Sequence, residues 1–334
     1  MKTKQLFITV ACLGCFALIG QAQATEQAGM QAGRQGWLEG LFRQAWDGQG
    51  ADFMTLMAFA DPTFRTALGI SEEQSQQYTA LVTEGINTPE HLAIHQQMDS
   101  IGYNPVDEDA QQRLQDLSVI AASLTSIAQA DAADNTLLPE QKRKMEELRL
   151  ANIAEMPFLS PSMFKPLDLT DAQKQQMEQI RNELRPEFEE TLKNWVRGTV
   201  ILESKTANEF KKEGKKPVGN PEEWKAVTKK LMENDPEYKK IYEEINSKGK
   251  AFATELKIKM FDVLTDEQWE RMLNLIDNPP EHAKIIRNRL KELSGESEKA
   301  EAWQPGPNSW RPGDPIPIQY RQERNERGRF PRGE

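Results

Sequence analysis

Cysteine is nearly absent from this sequence, and the two that occur, Cys12 and Cys15, both lie in the opening apolar stretch. If that stretch is removed, the remaining chain has no thiol and no disulfide, and its stability must come from packing. Histidine is almost as scarce, with only His91, His95 and His282. Also missing are a nucleophile elbow, a glycine-rich phosphate loop and a histidine placed beside a serine in any known catalytic pattern, so the chain reads as a non-enzymatic protein without a cofactor. No segment after the first twenty residues is apolar enough to cross a bilayer. Two-residue alternation is lacking too, which leaves no candidate strands.

What is present begins with an export signal. Lys2 and Lys4 precede an apolar run from Leu6 to Gly20, and Ala22-Gln23-Ala24 offers a small-x-small cleavage pattern. The reading is a signal peptide over 1–24, cut after Ala24, which places the mature chain in the periplasm or outside the cell. A lipid-modified cysteine is the alternative, but Phe16, Leu18 and Ile19 continue the apolar run where a polar tether is expected.

The net charge of -10 is unevenly spread. Residues 25–160 hold 8 basic and 20 acidic side chains, whereas residues 161–293 hold 25 of each. An acidic half lacks the concentrated basic face that phosphate neutralisation requires, which argues against nucleic acid as partner.

Helical periodicity covers most of the chain, giving an all-α fold. Ile241, Ile245, Phe252, Leu256, Met260 and Val263 recur at helical spacing and predict one buried stripe. Pro186 predicts a kink or break within the helix that begins near Asp171. Asn220-Pro221 and Asp235-Pro236 predict helix starts. Met57 to Gln74 aligns with Met156 to Gln173, about 100 residues on, so the chain reads as two tandem units of long antiparallel helices, 25–160 and 161–293. The second unit is longer, with extra helix expected around 209–233 and a lysine-rich loop within it. Residues 294–334, rich in Pro, Gly, Arg and Glu, predict a disordered, solvated tail, with Trp303, Trp310, Tyr320 and Phe330 as docking points the alternative reading.

Each unit carries two related helix-start motifs. Leu169-Thr170-Asp171-Ala172-Gln173 and Leu264-Thr265-Asp266-Glu267-Gln268 have capping-box spacing, in which the threonine oxygen accepts from the third amide on and the glutamine reaches back to the threonine amide. The first unit has Ile70-Ser71 with Gln74, and Leu137-Leu138 with Gln141. Leu138 has no side-chain acceptor, so Pro139 alone is expected to start that helix. The second unit's strings, from Leu167 to about Ile276, resemble the paired LTxxQ motifs of the Spy and CpxP family of periplasmic proteins, and the first unit joins the resemblance only by way of the internal repeat. The resemblance implies an all-helical protein that forms a curved cradle as a dimer, and it implies an ATP-independent chaperone or a stress-signalling inhibitor. Two units in one chain would then be a monomer imitating the dimer, or each would seek a partner in a homodimer.

His91 and His95, four apart on a helix, are the candidate metal ligands, but the only other histidine, His282, is far along the chain, and the pair reads first as two helix-surface histidines. The partners expected are unfolded or partly folded client proteins. The alternative is an envelope scaffold that recruits a partner through its tail, or a metal-responsive helical sensor.

Overall fold

A computed structural model describes residues 28–102, 107–153, 156, 159–214 and 221–293. The leader, the tail, Asn220 and the lysine-rich loop at 215–220 lie outside the described residues. The described chain is all-α: α1 Ala28–Asp47, α2 Phe53–Ala60, α3 Pro62–Leu68, α4 Glu72–Ile86, α5 Pro89–Ile101, α6 Glu108–Thr136, α7 Pro139–Ala151, a 3-10 segment Pro161–Leu167, α8 Asp171–Lys212, α9 Pro221–Asn234, α10 Pro236–Phe261, α11 Asp266–Asp277 and α12 Glu281–Leu293. No described helix is long and apolar enough to cross a membrane.

Local chemistry sets most of the boundaries. Asp52, Asp61, Thr88, Asp107 and Asp235 each accept from amides in the first turn of the helix they precede. Asp61 ends α2 and starts α3, with Pro62 at the first helical position. The lead-ins to the two units close alike. α3 ends at Gly69 with φ 73°, and the 3-10 segment ends at Asp168 with φ 53°, so both chains turn through the left-handed region just before the helix cap. α8 runs unbroken from Asp171 to Lys212 through Pro186, contrary to the expected break. Pro186 and Asn182, whose carbonyl the proline leaves unbonded, are both exposed, so water can satisfy that oxygen. On the other side Leu184, Phe188 and Leu192 are buried and hold the helix through that turn. The extra helix of the second unit is α9 with the final turns of α8.

The two units share an antiparallel helical hairpin. In the first, α4 and α5 run back to back along α6; in the second, the unbroken α8 pairs with α10, and α9 packs on both. α4 and α6 are antiparallel, with Gln74 beside Thr136 and Gly85 beside Ala128. α8 and α10 are antiparallel too, with Gln173 beside Val263 and Gly198 against Ile245. The expected stripe on α10 faces inward: Ile245, Phe252, Leu256, Met260 and Val263 are buried and Ile241 partly so.

The boundary at residue 160 does not separate the units in space. Leu38, Trp46, Leu150 and Ile153 share one core with Phe164, Phe188, Phe252 and Leu256. α12, the last described helix, leaves the second unit and seats Ala283, Ile286 and Leu290 among Met54, Phe64, Met145 and Leu148 of the first. Arg289 bonds Asp61 at 3.0 Å, and Arg287 donates to the carbonyl of Ala151 at 2.7 Å. From the other end of the chain, α1 stacks Trp46 on Phe188 with centroids 4.2 Å apart and places Arg181 over the same indole.

α1 is also parallel to α6 and unusually close to it. A Cβ on Gly36 would lie 2.1 Å from the carbonyl of Gln115, and one on Gly40 would lie 2.4 Å from that of Val119. Only glycine permits this contact, since any side chain would force the helices apart.

Candidate functional site

The sequence motifs meet at two junctions, one in each unit. In the second, Thr170 Oγ1 accepts from the amide of Gln173 at 3.2 Å, and Gln173 Oε1 accepts from the amide of Thr170 at 2.9 Å. Thr265 and Gln268 form the same box, at 3.2 and 3.0 Å. Two orphan amides at each helix start are thereby satisfied.

The two glutamines then bond each other. Gln173 Nε2 donates to Gln268 Oε1 at 2.7 Å, and Gln268 Nε2 donates to Gln173 Oε1 at 3.2 Å. Their remaining N–H groups reach across, Gln173 to the carbonyl of Val263 at 2.9 Å and Gln268 to that of Leu167 at 3.1 Å. Turning either amide over would put an NH₂ group against a backbone N–H, so the network fixes both orientations.

The first unit repeats this arrangement. Gln74 Nε2 donates to Gln141 Oε1 at 2.8 Å and to the carbonyl of Thr136 at 3.0 Å. Gln141 Nε2 donates to Gln74 Oε1 at 3.0 Å and to the carbonyl of Gly69. Ser71 and Gln74 form a complete box. At the fourth copy Leu138 supplies no side-chain acceptor, yet Gln141 Oε1 still accepts from the Leu138 amide at 2.9 Å. Half the box therefore survives, and Pro139 does not start α7 alone, as the sequence suggested. Ile70, Leu169 and Leu264 are buried beside the junctions, while Leu137 is half-buried.

The function of this geometry is to clamp. A reciprocal amide pair ties two helix starts that are 67 residues apart in the first unit and 95 in the second. It closes each helical hairpin at its base, and with every N–H and oxygen engaged internally it offers nothing to a substrate.

No match to family models, curated protein sequences or solved structures is found.

The histidine pair presents no open pair of ligands. His91 is buried, with Nδ1 2.7 Å from the carbonyl of Ile86 and Nε2 3.2 Å from Thr125 Oγ1, so both ring nitrogens face protein. His95 packs edge-on against it, and burial followed by its neighbour His91 lowers its pKa, favouring the neutral ring. Among the described residues no three metal-ligating side chains cluster.

Other ionisable groups with shifted pKa values serve to pin helices. Burial alone would raise the Asp52 carboxyl, but Arg149, at 2.6 Å, and bonds from Thr55 outweigh it and hold the group below its ordinary value. This pair ties the start of α2 to α7. Asp61 is lowered in the same way by its bonds to Arg289 and to the first amides of α3, again against the effect of burial.

Few large apolar side chains are exposed among the described residues, only Leu92, Ile120, Leu138 and Ile285. Sequence reading did not find α1, whose Gly36 and Gly40 contact and Trp46 stack bind both units together. The glycine spacing was the available signal.

Proposed function

We propose that this chain is an exported helical binding protein of the Spy and CpxP type, which holds partly folded proteins without ATP. The observation that carries this reading is the duplicated junction: each pair of LTxxQ-type starts is joined by a reciprocal glutamine bond, so the motif acts as a conserved piece of architecture within the chain. Two clamped hairpins in one polypeptide supply the two-unit arrangement that the family obtains by dimerisation. With so few exposed apolar side chains, client contact is weak and distributed, made by isolated apolar groups within a charged surface. Such contacts release clients readily.

The test is aggregation of a chemically denatured client followed by light scattering. Suppressed scattering at equimolar protein supports the reading, and unchanged scattering refutes it. Mass in solution should be that of a monomer, since both units already lie in one chain.

The sparse apolar surface favours a second reading, an envelope scaffold acting through residues 294–334. Ending the chain after Leu293 separates the two: a holding protein keeps client protection, and a tail-driven scaffold loses its partner.

A further inference from the structure

An open groove of about 610 Å³ is lined by residues of α3, α7 and α12. Pro62, Ala67 and Ile285 give it an apolar lining, and Ile285 is 38% exposed although its neighbour Ile286 is fully buried. Thr66, also in the lining, turns its hydroxyl onto the carbonyl of Pro62 at 2.9 Å. Lys144 and Glu281 add one charge of each sign. Both are loosely held: Lys144 stands 3.8 Å from Glu140 and Glu281 stands 3.9 Å from Lys284, and exposed pairs of this kind contribute little. Apolar lining with a cation and a carboxylate at hand suits an indole. Its faces cover apolar surface and attract an ammonium group, and its one N–H needs an acceptor. Leucine would gain nothing from Lys144, phenylalanine has no donor for Glu281, and tyrosine is the weaker partner for a cation.

The chain supplies an indole close by. α12 carries Ile285 and ends at Leu293, the last described residue, and Trp303 follows ten residues later. Leu293 lies roughly 12 Å along the helix from Ile285, whereas ten extended residues reach roughly 33 Å, so the segment can double back with slack. Residues 294–302 hold Glu296, Glu298 and Glu301 against Lys299. Their way back passes Lys291 and Lys284, exposed residues of α12 that are seven apart and therefore share one face of the helix. Trp310 is seven residues further on, with a longer loop to close and a lower effective concentration at the groove.

We propose that the groove lined by α3, α7 and α12 is the docking site of the chain's own Trp303. The indole covers Ile285 and Ala67, Lys144 lies against its face, and its N–H donates to Glu281, while the three preceding glutamates run along Lys291 and Lys284. The contact straps α12 onto the first unit, and a partner that takes up the tail must first draw Trp303 out. It does not depend on the client-holding reading.

Fluorine NMR of the full chain carrying 5-fluorotryptophan tests this, because the seven tryptophans each give a signal. Trp303→Phe and Trp310→Phe identify the two tail signals, and a labelled peptide of residues 294–312 fixes where each ring resonates when undocked. In the full chain Trp303 should stand apart from its peptide position and Trp310 should lie on its own. Ile285→Asp, and separately Thr66→Glu, should shift the Trp303 signal onto the peptide position, and Lys144→Met should move it part of the way. Ile285 and Thr66 are exposed, and unmoved signals from the buried Trp46 and Trp269 show that the fold is kept. A Trp303 signal at the peptide position in the unaltered chain overturns the proposal, as does one that ignores both groove variants. A displaced Trp310 signal in place of Trp303 overturns the assignment to this residue, and a displacement that grows with protein concentration overturns docking within one chain.

Discussion

Replacing Gln268 with methionine keeps the bulk of the side chain while removing its amide. The variant loses four hydrogen bonds: from the Thr265 amide, to the Leu167 carbonyl, and both to Gln173. At about 0.5–1.5 kcal/mol net for each bond the upper range is ~6 kcal/mol. Thr265 is exposed and Gln173 half-buried, so water can replace part of what they lose, but Leu167 is 1% exposed and its carbonyl is stranded. A cost of about 2–4 kcal/mol follows, a large part of a typical domain's ~5–15 kcal/mol. Urea unfolding followed by far-ultraviolet circular dichroism measures it, with Gln175→Met on the exposed face of α8 as the control. Gln173→Met should cost a similar amount, and because each change already breaks the reciprocal pair, the double variant should fall short of the sum by ~1–2 kcal/mol. Additive losses, or a Gln268→Met cost below about 0.5 kcal/mol, would refute the claim that the glutamines act as one clamp.

Gly40→Val places carbon against the Val119 carbonyl and Ala122, and should destabilise the chain by about 1–3 kcal/mol or release α1, seen as rapid amide exchange across 28–47. Trp46→Ala removes the indole between Phe188 and Arg181, and should lower stability by ~3–5 kcal/mol in thermal or urea unfolding. The Asp52 pKa is lower folded than its ordinary 3.8, so its contribution is complete above that value and is lost as pH falls towards the folded pKa; a pH series of urea midpoints should show a decline on the acid side that Asp52→Asn makes shallower. Asp168→Gly should be neutral or stabilising by up to ~1 kcal/mol, because the left-handed turn disfavours a side chain and the bond to Arg271 is exposed.

The helix starts were legible in the sequence because a capping box is local: Ser71, Thr170 and Thr265 each find their partner three residues on. The pairing of the glutamines was not legible, since nothing in Gln173 states that its amide will meet Gln268 rather than water. Pro186 misled because its local penalty is visible in sequence, whereas the burial of Leu184, Phe188 and Leu192 that outweighs it is a property of the assembled core. Helix α1 escaped notice because its inward face is marked by glycines rather than by an apolar stripe, and its value depends on a backbone more than 70 residues away. The histidine pair was correctly placed on one helix, but sequence could not show that Ile86 and Thr125 face both nitrogens of His91.

The return of α12 to the first unit has a consequence for the order in which the molecule is completed. A chain emerging amino end first exposes Met54, Phe64 and Met145 long before Ile286 and Leu290 are synthesised to close over them. Final consolidation of the early half must therefore wait for nearly the whole polypeptide, so a nascent copy stays loose until its last described helix has been made.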